Sequence, residues 1–315
     1  MPIWFAPLWL RYSVMLLALT LPAFPQASAP KPLDNSAFAY DQALSLDVRE
    51  HEVAIRNGIR IALVNFQVTP AVRAEGILVT PPIAAGQKAA AIIMMHSGGV
   101  FHQLPDAMLL AQAGAASLLI SPIMPDWDAS PETWPARMVQ AVVSVRRGID
   151  LLTRRSNIDS QRLAFAGHSY GALIGVDAAA ADRRFRAAVV EGGLPGMSVH
   201  IRTAQVAFAS NLRKTLGQQL DAGLRHIEPL DAIHYVGALA PTALLFQSAH
   251  LDPGVTDAQA QAFFNAASEP KTLKWYDTAH EFLDIAAISD RARFLALNLG
   301  LKPIEPILKA KIGIR

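Results

Sequence analysis

The 315-residue chain has no cysteine, which excludes disulfides, a thiol nucleophile and any cysteine-ligated metal. That absence does not decide compartment, because exported proteins of this size fold without disulfides. Charge is scarce too: 17% of residues are charged and the formal balance is only +2. The basic residues are scattered rather than clustered, so no nucleic-acid partner is expected. No set of histidines and carboxylates has ligand spacing such as H-E-x-x-H, so neither a metal nor a cofactor is expected. Beyond the first thirty residues no apolar run is long enough to cross a bilayer. There is also no internal repeat. What is abundant is hydrophobic residues, at 52%. This is enough for a large core, and one large α/β domain is more plausible than two small ones.

The first thirty residues differ from the rest. Only Arg11 is charged there, followed by the apolar run Val14 to Leu21 and small residues ending Ala27-Ser28-Ala29. A basic region, a short apolar core and an A-x-A site make up a secretory signal. Residues 1–29 are therefore expected to be a leader, cleaved or retained as an anchor, of a secreted or periplasmic protein. Its removal takes Arg11 away and lowers the balance from +2 to +1. Residues 30–41 read as a linker. Residues 42–315 read as one domain, with a helical insertion at about 198–223.

Within the domain, β-like and helical segments alternate. Ile59 to Phe66, Ala74 to Thr80, Ala89 to Met95 and Ala116 to Ile120 suit strands. Leu104 to Ala113 and Pro135 to Arg154 suit helices, the second with Met138, Val142, Val145, Ile149 and Leu152 three or four apart. The strands Leu163–Ala166, Ala187–Val190, Thr242–Phe246 and Thr272–Tyr276 follow, with helices at Asp257–Ala267 and about 281–298. Continuous apolar strands between helices predict a mostly parallel sheet covered on both faces.

Gly167-His168-Ser169-Tyr170-Gly171 reads G-x-S-x-G between the strand ending at Ala166 and a small-residue helix. Strand, sharp turn and helix are the context of a nucleophile elbow, where the serine hydroxyl stands exposed and the next backbone N–H is free. A serine is a poor nucleophile at neutral pH and needs a base and a group that orients it. Downstream, Asp252 follows one late strand and His280 follows another, each at the carboxyl edge where open α/β sheets build sites. His200, His226 and His234 lack that placement, and His250 sits two residues before Asp252 in the same loop, poorly placed to be the base that this Asp orients. Asp257 and Asp277 are alternatives for the acid. Asp257 better suits the first turn of a helix that Thr256 would cap.

An oxyanion needs backbone donors. One is expected from Tyr170 N–H, and the other from the glycine-bearing turn His96-Ser97-Gly98-Gly99, with Ser97 the first choice and Gly98 the alternative. Candidate pocket residues are His168, Trp127 and Trp134.

With these motifs in place, residues 58–297 resemble an α/β-hydrolase of the dienelactone-hydrolase and acetyl-xylan-esterase-like branch. The resemblance rests on His96-Ser97-Gly98-Gly99, the 167–171 pentapeptide, Leu251-Asp252-Pro253 and Ala279-His280. It implies an α/β-hydrolase fold and a Ser-His-Asp esterase that acts on a small-molecule ester through an acyl-enzyme. True dienelactone hydrolases carry cysteine where this chain has Ser169. A peptidase or acyltransferase with the same triad, or a silent binding protein on this fold, are the alternatives.

Overall fold

Hydrophobic alternation explains the central layer of the computed structural model, which describes residues 35–311. The expected leader and the first part of the expected linker lie outside the described residues. Nine strands form one sheet in the order β1-β2-β3-β5-β4-β6-β7-β8-β9. They are β1 (Arg49–Arg56), β2 (Ile59–Thr69), β3 (Val72–Thr80), β4 (Ala89–His96), β5 (Ala115–Ile120), β6 (Ile158–His168), β7 (Phe185–Glu191), β8 (Ala243–Ala249) and β9 (Lys271–Tyr276). β1 to β3 form an antiparallel meander, β3 pairs antiparallel with β5, and every later pairing is parallel.

All eight residues of β4 are buried. Ala89, Ala91, Ile93 and Met95 enter the core on one face, while Ala90, Ile92 and Met94 enter the core on the other. A period of two delivers alternate side chains to opposite faces, so a strand buried on both must be apolar throughout. α1 (Leu104–Gln112) and α8 (Ile285–Leu299) cover one face; α2 (Trp134–Thr153) and α3 (Tyr170–Ala181) cover the other.

Four features depart from the sequence expectation. β1 was missed: its side chains are mostly exposed, so no apolar pattern betrays it. The turn Asn57-Gly58, with φ of 52° and 76°, is the hairpin signal that could have found it. Residues 35–41 are not a linker, because Phe38 is fully buried against Tyr235 and Tyr40 donates a hydrogen bond to Asp150. The helical insertion is longer than 198–223: α4 (Met197–Thr203), α5 (Ala207–Leu216) and α6 (Leu220–Leu224) lead into three short turns ending at Ala238. His280 does not directly precede a helix either, since α8 begins at Ile285 after a turn in which Phe282 has φ 48°. The remaining helices are α7 (Asp257–Ala266) and α9 (Glu305–Lys311). α7 starts as expected, with a capping box between Thr256 and Gln259.

Gly167 and Gly171 show why the elbow needs small residues. A Cβ on Gly167 would lie 2.6 Å from the Gly171 carbonyl oxygen, and one on Gly171 would lie 2.0 Å from the Met95 carbonyl oxygen. Strand, helix and neighbouring strand touch through their backbones. Gly171→Ala is therefore expected to destabilise the protein by about 2–3 kcal/mol, the usual scale of overpacking. Urea unfolding of the two proteins measures this, and an unchanged midpoint would refute the contact argument.

Candidate active site

The elbow places Ser169 between β6 and α3 with φ 56° and ψ −120°, a conformation that costs a non-glycine residue on the order of 1–3 kcal/mol. The surroundings hold it there. Ser169 N–H donates to the Glu191 carbonyl at 2.9 Å, and its own carbonyl accepts from Ala172 and Leu173 N–H.

The loop after β8 carries Asp252, whose side chain is 2% exposed. Its Oδ1 accepts from the N–H groups of Gly254 and Val255 at 2.7 and 3.0 Å. The other oxygen, Oδ2, lies 2.6 Å from His280 Nδ1. A carboxylate so fixed places the proton on Nδ1 and leaves the Nε2 lone pair able to take another. The His280 ring packs on Gly192, where a Cβ would come within 3.3 Å of Nδ1 and Cε1. Gly192 follows the residue whose carbonyl anchors Ser169, so His280 and Ser169 share one neighbourhood. Among the described residues no protein group is hydrogen-bonded to the Ser169 hydroxyl.

The rival pairs separate. Asp257 is an exposed helix-start residue bonded to His250, and Asp277 is exposed. Neither is bonded to His280. His200 donates from Nδ1 to the Gly254 carbonyl at 3.2 Å and stacks near Phe208. With the Gln205 N–H bond to the Pro253 carbonyl and the Gln259 bond to Thr203, it ties the insertion to the acid loop. Sequence reasoning missed this tie, because nothing local in His200 reports it.

The oxyanion candidates also separate. Gly98 N–H donates to His96 Nδ1 at 2.9 Å, and Gly99 N–H donates to the His96 carbonyl. Gly98 is therefore withdrawn as an oxyanion donor, since its hydrogen is already engaged. Among the described residues no protein acceptor takes the N–H of Ser97, or that of Tyr170 at the first position of α3. The first N–H groups of a helix have no intrahelical partner, so Tyr170 N–H is a donor by geometry.

Two expected pocket residues are corrected. Trp134 is fully buried in the core, with its indole N–H bonded to the Asp126 carbonyl. His168 is also fully buried and cannot line a pocket. Trp127 is half-buried, edge-on to both Trp134 and Phe208, and Phe208 is 38% exposed. Loop and insertion thus meet in an aromatic wall.

His96, His102 and Glu281 bring metal-binding atoms within 4.8 Å of one another. Their geometry does not suit an ion. Gly98 N–H occupies the lone pair of His96 Nδ1, so Nε2 of the neutral ring carries the proton and points at Glu281, 3.6 Å away. The rings of His96 and His102 are stacked 4.4 Å apart at 9°. In-plane lone pairs of parallel rings run side by side instead of meeting at one point.

Burial and repulsion distort the charges around the site. Burial, with the neighbouring His102 and His280, holds His96 down at about 4; burial, with the neighbouring His96 and His280, keeps His168 well below the ordinary histidine value. Burial pushes Glu191 up to about 7, against the pull of Arg291. Folded Glu191 thus keeps its proton above the pH at which the unfolded chain releases it. That contribution to stability is complete below about pH 4.5 and is lost as pH rises through 7, at a scale of roughly 3 kcal/mol. Glu191→Gln is expected to flatten the fall of unfolding free energy between pH 4.5 and 8. Parallel curves for the two proteins would contradict the assignment.

Residues 142–281, which include Ser169, Asp252 and His280, match the model of the prolyl oligopeptidase family. No curated protein sequence matches the chain. Among solved structures it is similar to an acetyl xylan esterase from Paenibacillus sp. R4 (TM-score 0.70, 19% identity, 84% of this chain and 92% of that one). It is similar also to acetyl xylan esterase 1 from Thermoanaerobacterium sp. JW/SL YS485 (TM-score 0.70, 15% identity, the same coverages). The chain has the α/β-hydrolase fold. A third neighbour, the acylaminoacyl peptidase of Pyrococcus horikoshii, has TM-score 0.58 and 16% identity over 84% of this chain but 44% of that one. The family match and these neighbours support a serine hydrolase in general terms.

Proposed function

We propose that the protein hydrolyses carboxylic esters of small molecules with Ser169 as nucleophile, His280 as base and Asp252 as the residue that orients it. The observation that carries this reading is the 2.6 Å bond from His280 Nδ1 to an Asp252 carboxylate whose other oxygen two backbone N–H groups hold. His280 Nε2 takes the proton of Ser169 as Oγ attacks the carbonyl carbon. The N–H groups of Tyr170 and Ser97 receive the oxyanion. Collapse expels the alcohol, which takes the proton from His280, and leaves Ser169 acylated. Water, deprotonated by the same His280, then attacks the acyl-enzyme; the acyl–Oγ bond breaks, His280 returns the proton to Ser169 Oγ, and the acid leaves.

A fluorophosphonate probe tests the nucleophile: wild type should be labelled at Ser169 and Ser169→Ala should not. Comparing nitrophenyl esters of increasing acyl length with aminoacyl nitroanilides tests the ester assignment. Higher kcat/KM on the amides would replace it with the peptidase reading that the family match also permits. The sequence features of the leader support export to the periplasm or medium. The N-terminal residue of protein recovered from cell fractions tests that proposal. Among the described residues no helix is long and apolar enough to cross a membrane.

A further inference from the structure

His168 is the residue just before the nucleophile, and its ring is fully buried. Its Nε2 lies 2.7 Å from the carbonyl oxygen of His280. A carbonyl only accepts, so Nε2 carries the hydrogen. Burial and the neighbouring His96 and His280 keep the ring neutral, which leaves Nδ1 as an acceptor. Nδ1 faces the Ser97 hydroxyl at 3.5 Å, the long end of hydrogen-bond range. One face of the ring stacks on His96 at 4.0 Å and 9°, and the His280 ring meets it edge-on at 4.7 Å. His96 in turn receives Gly98 N–H. One side chain on β6, the strand that leads into Ser169, therefore touches both the main chain of His280 and the turn that bears Ser97.

We propose that His168 is a positioning residue that sets the relative placement of the base loop and the oxyanion turn around Ser169. This inference rests on the serine-hydrolase reading above. The ring has no exposed surface and cannot touch substrate, so it acts only through His280 and Ser97. Its tautomer is decisive: the Nε2–H holds the His280 carbonyl, and the Nδ1 lone pair holds the Ser97 hydroxyl. A phenyl ring in its place keeps the stack on His96 but supplies neither bond. The glutamine side chain is smaller and loses the stack, yet it offers one N–H donor group and one carbonyl acceptor.

The test compares wild type, His168→Phe and His168→Gln for hydrolysis of nitrophenyl acetate, fluorophosphonate labelling rate and thermal unfolding. A misplacement of about 1 Å costs on the order of 100-fold in rate, so His168→Phe is expected to lower kcat by roughly 10–100-fold while KM changes less than about twofold. Its labelling rate should fall in step with kcat. His168→Gln should recover part of both although it fills the site less well. A purely structural role predicts the reverse order, with Phe the better variant and activity tracking Tm. That order, or a His168→Phe enzyme with wild-type kcat and labelling, overturns the proposal. Should His168→Phe fail to fold, Ser97→Ala carries the test: it removes the hydroxyl that faces His168 Nδ1 and is expected to lower kcat and labelling rate severalfold with Tm little changed. Wild-type kcat and labelling rate in Ser97→Ala overturn the proposal. Failure of wild type to take the probe at all would instead remove the serine-hydrolase reading on which this rests.

Discussion

Ser169→Ala is expected to lower kcat for nitrophenyl acetate by on the order of 10⁵–10⁶-fold, leaving the slow residual rate that oxyanion donors and binding provide without a nucleophile. The size of the effect follows from the division of labour. Tyr170 N–H, Ser97 N–H and His280 remain in place, but no oxygen is present to form the acyl-enzyme. Alanine at the positive φ of residue 169 is strained as serine is, so stability should change by well under 1 kcal/mol, the range of substitutions that disturb no packing. Steady-state kinetics and urea unfolding of the same preparation check both halves. A variant that retains more than a hundredth of wild-type kcat would remove Ser169 from the chemistry, a threshold set far above the residual rate expected for a lost nucleophile, roughly 10⁻⁵ or less of wild type.

Asp252→Asn should cost nearly as much, for a reason visible in its hydrogen bonds. Oδ1 accepts two backbone N–H groups, so the amide oxygen of asparagine takes that position and its NH₂ turns toward His280. That group donates, which forces the imidazole proton from Nδ1 to Nε2. His280 then presents a hydrogen to Ser169 where it must present a lone pair. The loss expected for a wrong tautomer is about 10⁴-fold in kcat. The fold should be unaffected, since the two N–H bonds that shape the loop survive. Measuring kcat and the fluorophosphonate labelling rate together tests this. A loss of less than about tenfold would show that Asp252 does not set the tautomer on which the 10⁴-fold effect depends.

The central sheet and the candidate site residues are legible in the sequence, for different reasons. The buried runs Ala89–Met95 of β4, Leu118–Ile120 of β5, Leu163–Ala166 of β6 and Ala187–Val190 of β7 are apolar because both faces are covered, so their composition alone reveals them. Ser169 sits between glycines that the close backbone approach requires. Asp252 and His280 each follow a strand whose own pattern is visible, and Thr256 announces the helix that separates Asp257 from the site. The exposed edge strand β1 had no such pattern, and the segment 35–41 looked like a linker because its anchors are distant in the chain: Phe38 buries itself against Tyr235, nearly 200 residues away, and Tyr40 bonds to Asp150, 110 residues away.

The sequence by itself determined the residue types of the site, their order and the parallel sheet that presents them, because each is written in a local pattern of period, glycine spacing or turn. Only the tertiary structure decided which of the glycine-turn N–H groups stays free. The sequence prefers Ser97 but leaves Gly98 open, and what separates the two neighbours is a bond from Gly98 N–H to His96 Nδ1. It likewise moved His168 and Trp134 from pocket wall to buried interior. The partners of His168 lie 71 and 112 residues away, and hydrogen bonds across such separations leave no periodic trace in the chain.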